Sequence, residues 1–403
     1  MTNPLSKYPR PASDNGWGFH DSAGTNRKPP NIEQYARYLR NELGTTWFKA
    51  LVDGANKVDL ARAFTAQGIE VIVRLYKHKP HPHHVVDGSV VSQYVGAGCH
   101  YFEWGNEPNL IDEWAEGEWE KGAQPDRVCE QFLRNAEVIK QAGGIPLFPA
   151  FSPGGNYPHR DFYRTALEWL RLHGHLDDLE GCALAIHNRP LNHPLDYEDG
   201  SGCFFLDYKW IDDLVEGYLN HSLPLLGTES GYEFGYDFDS NFPAITPELH
   251  RDYNLEILRS FGPHGRFSWR DALFCQCMWL VDNFGHPAFA SAAWHHNPVI
   301  AGGGNLPAVD ALKTEWRERP FVRVFPWEET EDVIRNAAWV AGGIPYNPEA
   351  AFPKYAREHG LGNPETPEFD FTYQGKKYRG QGFSKAIVYA EVGHWDDIKE
   401  ASW

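Results

Sequence analysis

A closed barrel of eight parallel strands alternating with helices, followed by a small C-terminal α+β domain, is the fold class this sequence predicts. Three observations carry the prediction. Short apolar runs recur along residues 14–318, each followed by a segment with apolar residues at helical spacing. The runs are hydrophobic throughout rather than alternating, as a sheet covered by helices on both faces requires. They recur at intervals of roughly 35–45 residues, which favours a (β/α)8, or TIM, barrel over an open doubly wound sheet. No glycine-rich phosphate loop follows the first run. A chain of 403 residues exceeds one ordinary domain, and a barrel of about 250 residues with an appendage accounts for it economically.

The elements follow in order. Trp17 to His20 forms strand one, and Asn31 caps a helix running to residue 43, with Ile32, Tyr35, Ala36 and Leu39 on one face. Strand two covers 47–52, with a helix at 59–67; strand three covers 69–76, with a helix near 90–95. Strand four is 100–106, followed by a long helix at 125–142. Strand five is 145–151, then a helix at 160–173; strand six is 182–187, then a helix at 208–219. Strand seven is 223–228. Residues 247–283 are expected to carry one or two helices, with Cys275 and Cys277 among them. Residues 288–294 are expected to form strand eight, and a helix at 308–317 closes the ring.

Past Arg319-Pro320 the character changes, and residues 319–403 read as the second domain. A connector at 321–329 rich in aromatic residues leads to helices at 332–340 and 348–359. A hairpin at 369–378 and a strand at 386–391 follow.

Composition excludes several classes. With 37 basic and 55 acidic residues the net charge is −18, which argues against nucleic acid or an anionic membrane as partner. A neutral polyhydroxylated substrate is compatible with it. No apolar stretch approaches the roughly 20 residues of a membrane helix. The first ten residues lack the apolar centre of a secretory leader, so the expectation is a cytoplasmic protein, or a secreted one whose leader is not part of this sequence. The six cysteines show no metal-type pairing; buried thiols are expected, with one disulfide as the alternative. Fifteen Trp, 19 Tyr and 24 Phe are many; a surplus over core needs suits a binding groove, and the alternative is that the rings simply pack.

Two glutamates carry the chemistry. Glu107 lies in Asn106-Glu107-Pro108 at the end of strand four, and Glu229 in Thr228-Glu229-Ser230-Gly231 at the end of strand seven. Parallel barrels build their sites at the C-terminal strand ends, and two carboxylates facing one cleft are the minimal equipment for cleaving a glycosidic bond. Taken singly, either could be a loop carboxylate capping a turn, and Glu233 and Asp237 compete with Glu229.

The stretch Trp104 to Asn109 resembles the acid/base motif of the clan A glycoside hydrolases, and Thr228 to Gly231 resembles their nucleophile motif. The resemblance covers residues 14–318, and residues 102–110 are similar to the xylosidase/iduronidase-like members. It implies that Glu107 acts as general acid and then base, that Glu229 is the nucleophile, and that Asn106 bonds the sugar 2-hydroxyl. The alternative for Asn106 is a local turn.

Arg74, late in strand three, could hold the nucleophile ionised, or join Lys49 and Glu103 in an ion-pair network within the barrel. His187, ending strand six, could orient a glutamate or touch sugar, against a satisfied core histidine. Trp294 is expected to end strand eight as the aromatic platform of the clan. His20 and Tyr232 are further candidates for substrate contact.

Two histidine clusters, residues 78–84 and His295-His296, invite a metal reading. The prolines of the first disfavour helical ligand spacing, so a loop above the barrel mouth is expected there, and His295-His296 are assigned to the sugar site. No obligatory metal or organic cofactor is expected. In the tail, Leu361 to Pro364, Gly380 to Phe383 and Ala386 to Tyr389 resemble LGFP-type repeats of bacterial cell-wall proteins, as one unit rather than an array. That implies glycan contact at a cell wall; the alternative is a domain that covers barrel helices. The whole reading is a retaining glycoside hydrolase acting on an oligo- or polysaccharide. A transglycosylase using the same glutamates and a non-catalytic glycan-binding barrel are the alternatives.

Overall fold

The computed structural model describes residues 4–200, 202, 204–267, 269–328 and 349–403. Eight parallel strands close into a barrel: β1 Trp17–His20, β2 Trp47–Val52, β3 Glu70–Leu75, β4 Tyr101–Glu103, β5 Ile145–Phe148, β6 Ala183–Ile186, β7 Leu225–Ser230 and β8 Leu273–Met278. Pairing of Gly18 in β1 with Cys277 in β8 completes the ring. Nearly every strand residue is buried, because the helices cover the outside and side chains fill the inside.

The helices are α1 Ile32–Glu42, α2 Val58–Thr65, α3 Gly88–Val95, α4 Gln124–Gln141, α5 His159–Leu172, α6 Asp207–Leu219, α7 Pro247–Arg259 and α8 Pro307–Glu318. Their starts are written in the sequence. Asn31, Asp87 and Thr246 accept hydrogen bonds from the first free backbone amides of α1, α3 and α7. Proline in the first turn of α4, α7 and α8 removes an amide that has no helical partner. Among the described residues no helix is long and apolar enough to cross a membrane.

Strand eight departs from expectation. It is Leu273–Met278, inside the stretch read as helical, so Cys275 and Cys277 are strand residues. Both faces of this run are buried, Gln276 included. A run buried on both faces has no polar side by which period alone can separate strand from helix. Residues 288–294 form no barrel strand. Phe289 has a left-handed backbone (φ 57°), a 3-10 turn spans Ala290–Ala292, and Trp294 and His295 bond back to the carbonyls of Leu280 and Val281. Cys99, Cys129, Cys182, Cys275 and Cys277 are free and buried; Cys203 lies outside the described residues.

The C-terminal segment contains α9 Ala351–Glu358 and an antiparallel sheet in the order β12-β11-β10-β9. Its strands are β9 Phe369–Tyr373, β10 Lys376–Gly382, β11 Ile387–Glu391 and β12 Lys399–Ala401. Phe352, Leu361, Phe383 and Val388 form a small core separate from that of the barrel. The connector belongs to the barrel instead. Phe321 packs edge-on to Trp17 at 5.3 Å, and Phe325 lies against Phe274 and Trp327. The helix expected at 332–340, with Trp339, lies outside the described residues.

Candidate active site

Inward-facing side chains of adjacent strands build the barrel mouth. Strand register sets His20 of β1 beside Lys49 of β2, and Arg74 of β3 beside Glu103 of β4. Glu229 enters from β7, of which it is the penultimate residue. Gly231, at φ 82°, turns the chain away immediately after; a Cβ there would fall 2.5 Å from Asn254 Oδ1 and Met278 Sδ. Only glycine fits that approach.

Glu229 is the hub. Its Oε1 accepts from Lys49 Nζ at 3.2 Å and Arg74 Nη1 at 3.0 Å, and its Oε2 accepts from Arg189 Nη2. Nε2 of His20 and of His187 each lie 3.8 Å from Oε1. Lys49 also bridges to Glu103 at 2.8 Å. The ion-pair network and the support of Glu229 are therefore one structure, with Lys49 shared between them.

Glu107 lies four residues beyond the end of β4, in the loop that follows. Its carboxylate takes a 2.7 Å hydrogen bond from His187 Nδ1. One oxygen each of Glu107 and Glu229 and one ring nitrogen of His187 all lie within 4.8 Å of one another. Glu107 has φ 33°, a left-handed conformation that costs a residue with a Cβ roughly 1–2 kcal/mol. Asn106 gives its Nδ2 to Glu113 Oε1 at 2.6 Å, which leaves Oδ1 buried without a partner. Asn106 thus offers a hydrogen-bond acceptor, and its complement is an O–H or N–H.

Charge sorts the carboxylates. Burial works to raise Glu229, but His187, Lys49 and Arg189 together hold it well below the ordinary carboxylate range. Glu103 is likewise pushed down to about 2, burial being outweighed by Lys49, His187 and Arg74. Glu107 is also lowered, because the charge and hydrogen bond of His187 outweigh burial and the repulsion of Glu229. His187 is raised in turn: burial opposes its charge, and Glu229, Glu107 and Glu103 restore it. Of the Glu107–His187 pair, the imidazole is therefore the member whose protonated form the site favours. Glu113 and Glu233 are raised by burial.

The trio Glu107, His187 and Glu229 has the donor set of a metal site. Three cationic side chains already occupy the oxygens of Glu229, and they would repel a divalent ion. In the 78–84 loop, His81 is fully buried with both ring nitrogens within 2.9 Å of hydrogen-bond partners, and His83 contacts Glu118 at 3.1 Å.

The remaining candidates separate. His20, Arg74, Asn106 and His187 surround the two glutamates. Tyr232 is buried, with its hydroxyl donating to the carbonyl of His193 at 2.6 Å. Trp294 is buried between Phe19 and His250, and its Nε1 donates to the carbonyl of Trp279. Trp279, directly after β8, is the ring at the mouth. It lies 4.4 Å from the His20 ring, with the Arg189 guanidinium 5.0 Å over its face. His295 bonds Tyr38 and His296 bonds Asp282. Arg189, Glu113 and Trp279 are site residues that the sequence reading missed.

No protein-family model and no curated protein matches the chain. Solved structures do resemble it. A family 39 glycoside hydrolase from the gut symbiont Bacteroides cellulosilyticus WH2 covers 94% of this chain and 71% of its own, at 11% identity and TM-score 0.51. The chain has the barrel fold of that enzyme. A monomeric beta-xylosidase from Caulobacter crescentus CB15 matches 77% of this chain and 69% of its own (13% identity, TM-score 0.45), and an endo-beta-1,3-glucanase from Sorangium cellulosum matches 73% and 98% (13%, 0.41). At these identities the likeness is one of fold.

Proposed function

We propose that the protein is a retaining glycoside hydrolase acting on an oligo- or polysaccharide, with Glu229 as nucleophile and Glu107 as acid/base. The observation that carries this reading is the approach of the two carboxylates, whose nearest oxygens lie within 4.8 Å. Retaining enzymes hold their carboxyls about 5–5.5 Å apart for direct attack, and inverting ones about 6.5–9.5 Å apart to admit water. The surrounding cations hold Glu229 well below the ordinary carboxylate range, which favours the ionised form a nucleophile needs.

The proton inventory supports the cycle. Glu107 delivers to the leaving oxygen the proton it shares with His187, across their 2.7 Å hydrogen bond. Attack by Glu229 forms the glycosyl ester and removes its negative charge. That charge had favoured the protonated forms of both Glu107 and His187. Its loss shifts Glu107 toward carboxylate, the form that then activates water. Arg74 and Lys49 hold Glu229 in position, Asn106 Oδ1 accepts from a substrate hydroxyl, and Trp279 takes the stacking role expected of Trp294.

Activity against a panel of aryl glycosides and polysaccharides tests the class, and NMR of the first-formed sugar tests the stereochemistry. Release of the inverted anomer would sink the mechanism. Transfer to added sugar acceptors in preference to water would favour a transglycosylase.

For the C-terminal sheet we infer glycan contact through one face. Phe369, Phe371, Tyr378 and Tyr389 form a chain of rings 5.3–6.1 Å apart beside the exposed Tyr373, and sugar CH faces stack on such rings. Unchanged polysaccharide retention after Phe371→Ala and Tyr373→Ala would remove this inference.

A further inference from the structure

The histidine-rich loop between β3 and α3 is bolted to the loop that carries Glu107. His81 donates its backbone N–H to the Glu113 carbonyl at 3.3 Å, and its own carbonyl accepts from Ala115 N at 2.9 Å. Its ring lies between Trp104 and Trp114, 5.8 and 5.7 Å away. Gly105 admits that ring; a Cβ at this position would sit 3.0 Å from His81 Cε1.

The ring reaches the backbone next to Glu107. His81 Nε2 lies 2.9 Å from the carbonyl oxygen of Asn106, and Nδ1 lies 2.9 Å from Gln131 Oε1. The orientation of Gln131 is fixed, because its Nε2 donates to the carbonyls of Pro80 and His84, both at 2.9 Å. The imidazole therefore stands between two acceptors.

The Asn106 carbonyl belongs to the peptide plane whose other end is Glu107 N. The φ angle of Glu107 measures the rotation of its residue against that plane. Anchoring the carbonyl fixes the plane, and the Glu107 carbonyl is held in turn by Leu110 N at 2.9 Å. Glu107 is thereby clamped on both sides at φ 33°, a conformation that a residue with a Cβ leaves when free to do so.

We propose that His81 is a positioning residue of the acid/base loop, whose Nε2–H holds the Asn106 carbonyl and so keeps Glu107 in its left-handed conformation, aimed at the leaving oxygen. The inference rests on the acid/base reading of Glu107. Burial pushes His81 down to about 4 despite both hydrogen bonds, so at neutral pH the ring has one proton to place. Nε2–H is the intrinsically preferred tautomer of neutral histidine. It satisfies the buried Asn106 carbonyl and turns the Nδ1 lone pair toward Gln131 Oε1; the opposite tautomer reverses the two.

The test compares His81→Leu with His81→Gln, whose amide N–H can still reach the Asn106 carbonyl. In His81→Leu, kcat/KM for poor leaving groups should fall about 10²-fold, while activated aryl glycosides lose no more than about 3-fold, since only the former depend on full protonation. His81→Gln should stay within a few-fold of the parent for both. A crystal structure of His81→Leu should show Glu107 returned to negative φ, and ¹⁵N shifts of the parent should report the Nε2–H tautomer. Equal losses for all leaving groups, a positive φ retained in His81→Leu, or the Nδ1–H tautomer would each overturn the proposal. If the parent protein cleaves no glycoside, the proposed function fails, and the φ and tautomer measurements still decide whether His81 holds this peptide.

Discussion

The two ends of the barrel bury charge in opposite ways. At the foot, where the strands begin, each guanidinium has protein partners. Arg10 bonds Asp14 at 3.1 Å and Glu328 at 2.7 Å, and its guanidinium lies 3.6 Å from the centre of the Phe325 ring. Arg323 donates to the Phe274 carbonyl at 2.8 Å, and its backbone N–H bonds the Asp14 carbonyl at 2.7 Å. At the mouth, cations converge on Glu229, and the unmatched buried polar atoms there (Asn106 Oδ1, Asn188 Nδ2, Arg189 Nε and Trp279 Nε1) lie on or next to residues that hold the two glutamates, whereas those at the foot, such as Tyr8 Oη, Arg40 Nε and Thr45 Oγ1, do not. An unmatched buried group costs about 1–3 kcal/mol, and such groups persist where a ligand supplies the partner. Under the proposed function, substitutions at the mouth should act on activity and those at the foot on folding.

The largest effect belongs to the mouth. Glu229→Gln should abolish the first step for every substrate, a loss on the order of 10⁴-fold in kcat, because no carboxylate remains to form the ester. Glu107→Gln should cost about 10²–10⁴-fold for poor leaving groups and much less for activated ones. Steady-state kinetics across a series of aryl leaving groups checks both. Near-normal turnover by Glu229→Gln would erase the functional distinction between the two ends.

Folding effects should come from the foot, and two truncations locate them. Ending the chain after Glu328 keeps Arg323, Phe325 and Trp327 and removes the C-terminal segment, with α9, the small sheet and their shared core; a soluble barrel with little change in Tm is expected. Ending it after Glu318 also removes Phe321, Phe325 and Trp327. At about 1.5–3 kcal/mol for the buried Phe325 and less for each of the half-buried Phe321 and Trp327, that loss is a large fraction of the stability of a typical domain, and aggregation should follow. Thermal melts and size-exclusion profiles compare the pair. Equal behaviour of the two would place the stabilising contacts elsewhere.

Both ends were partly legible in the sequence, and the physics explains which parts. Seven strands could be read because each is a short apolar run followed further on by a segment with helical spacing. Strand eight was lost because the run after Leu273 contains Gln276 and two cysteines and follows α7 without an obvious polar face. Gly262-Pro263 and Gly265 mark the break that ends α7. Misplacing that strand moved the expected platform from Trp279 to Trp294. Glu229 could be found because a strand end aims it, and Glu107, four residues beyond β4, because Asn106-Glu107-Pro108 is a recognisable motif. Arg189 could not: it lies three residues beyond β6 in a loop whose course is set by tertiary contacts, and no local pattern points its guanidinium at Glu229. His81 was visible only as part of a histidine-rich run, and its partner Gln131 lies 50 residues away.

The smallest effect is in pH dependence, and it distinguishes the two ends most finely. His187 is raised above 6.5 in the folded protein, so its contribution is complete below that value and disappears as pH rises through the folded pKa. Glu107 and Glu229 are lowered from 4.5; their contribution is present above 4.5 and disappears as pH falls through the folded values. Together these three groups should therefore stabilise the fold most between about 4.5 and 6.5, and kcat/KM should fall on the alkaline side as the Glu107–His187 pair loses its shared proton. In His187→Asn that proton must reside on Glu107 alone, held only by burial and the charge of Glu229. The alkaline limb should then move to lower pH, with a several-fold loss at neutrality. Phe325→Ala at the foot should lower the whole stability curve by about 3 kcal/mol and move neither limb. An alkaline limb left in place by His187→Asn would mean that the pair does not hold the catalytic proton.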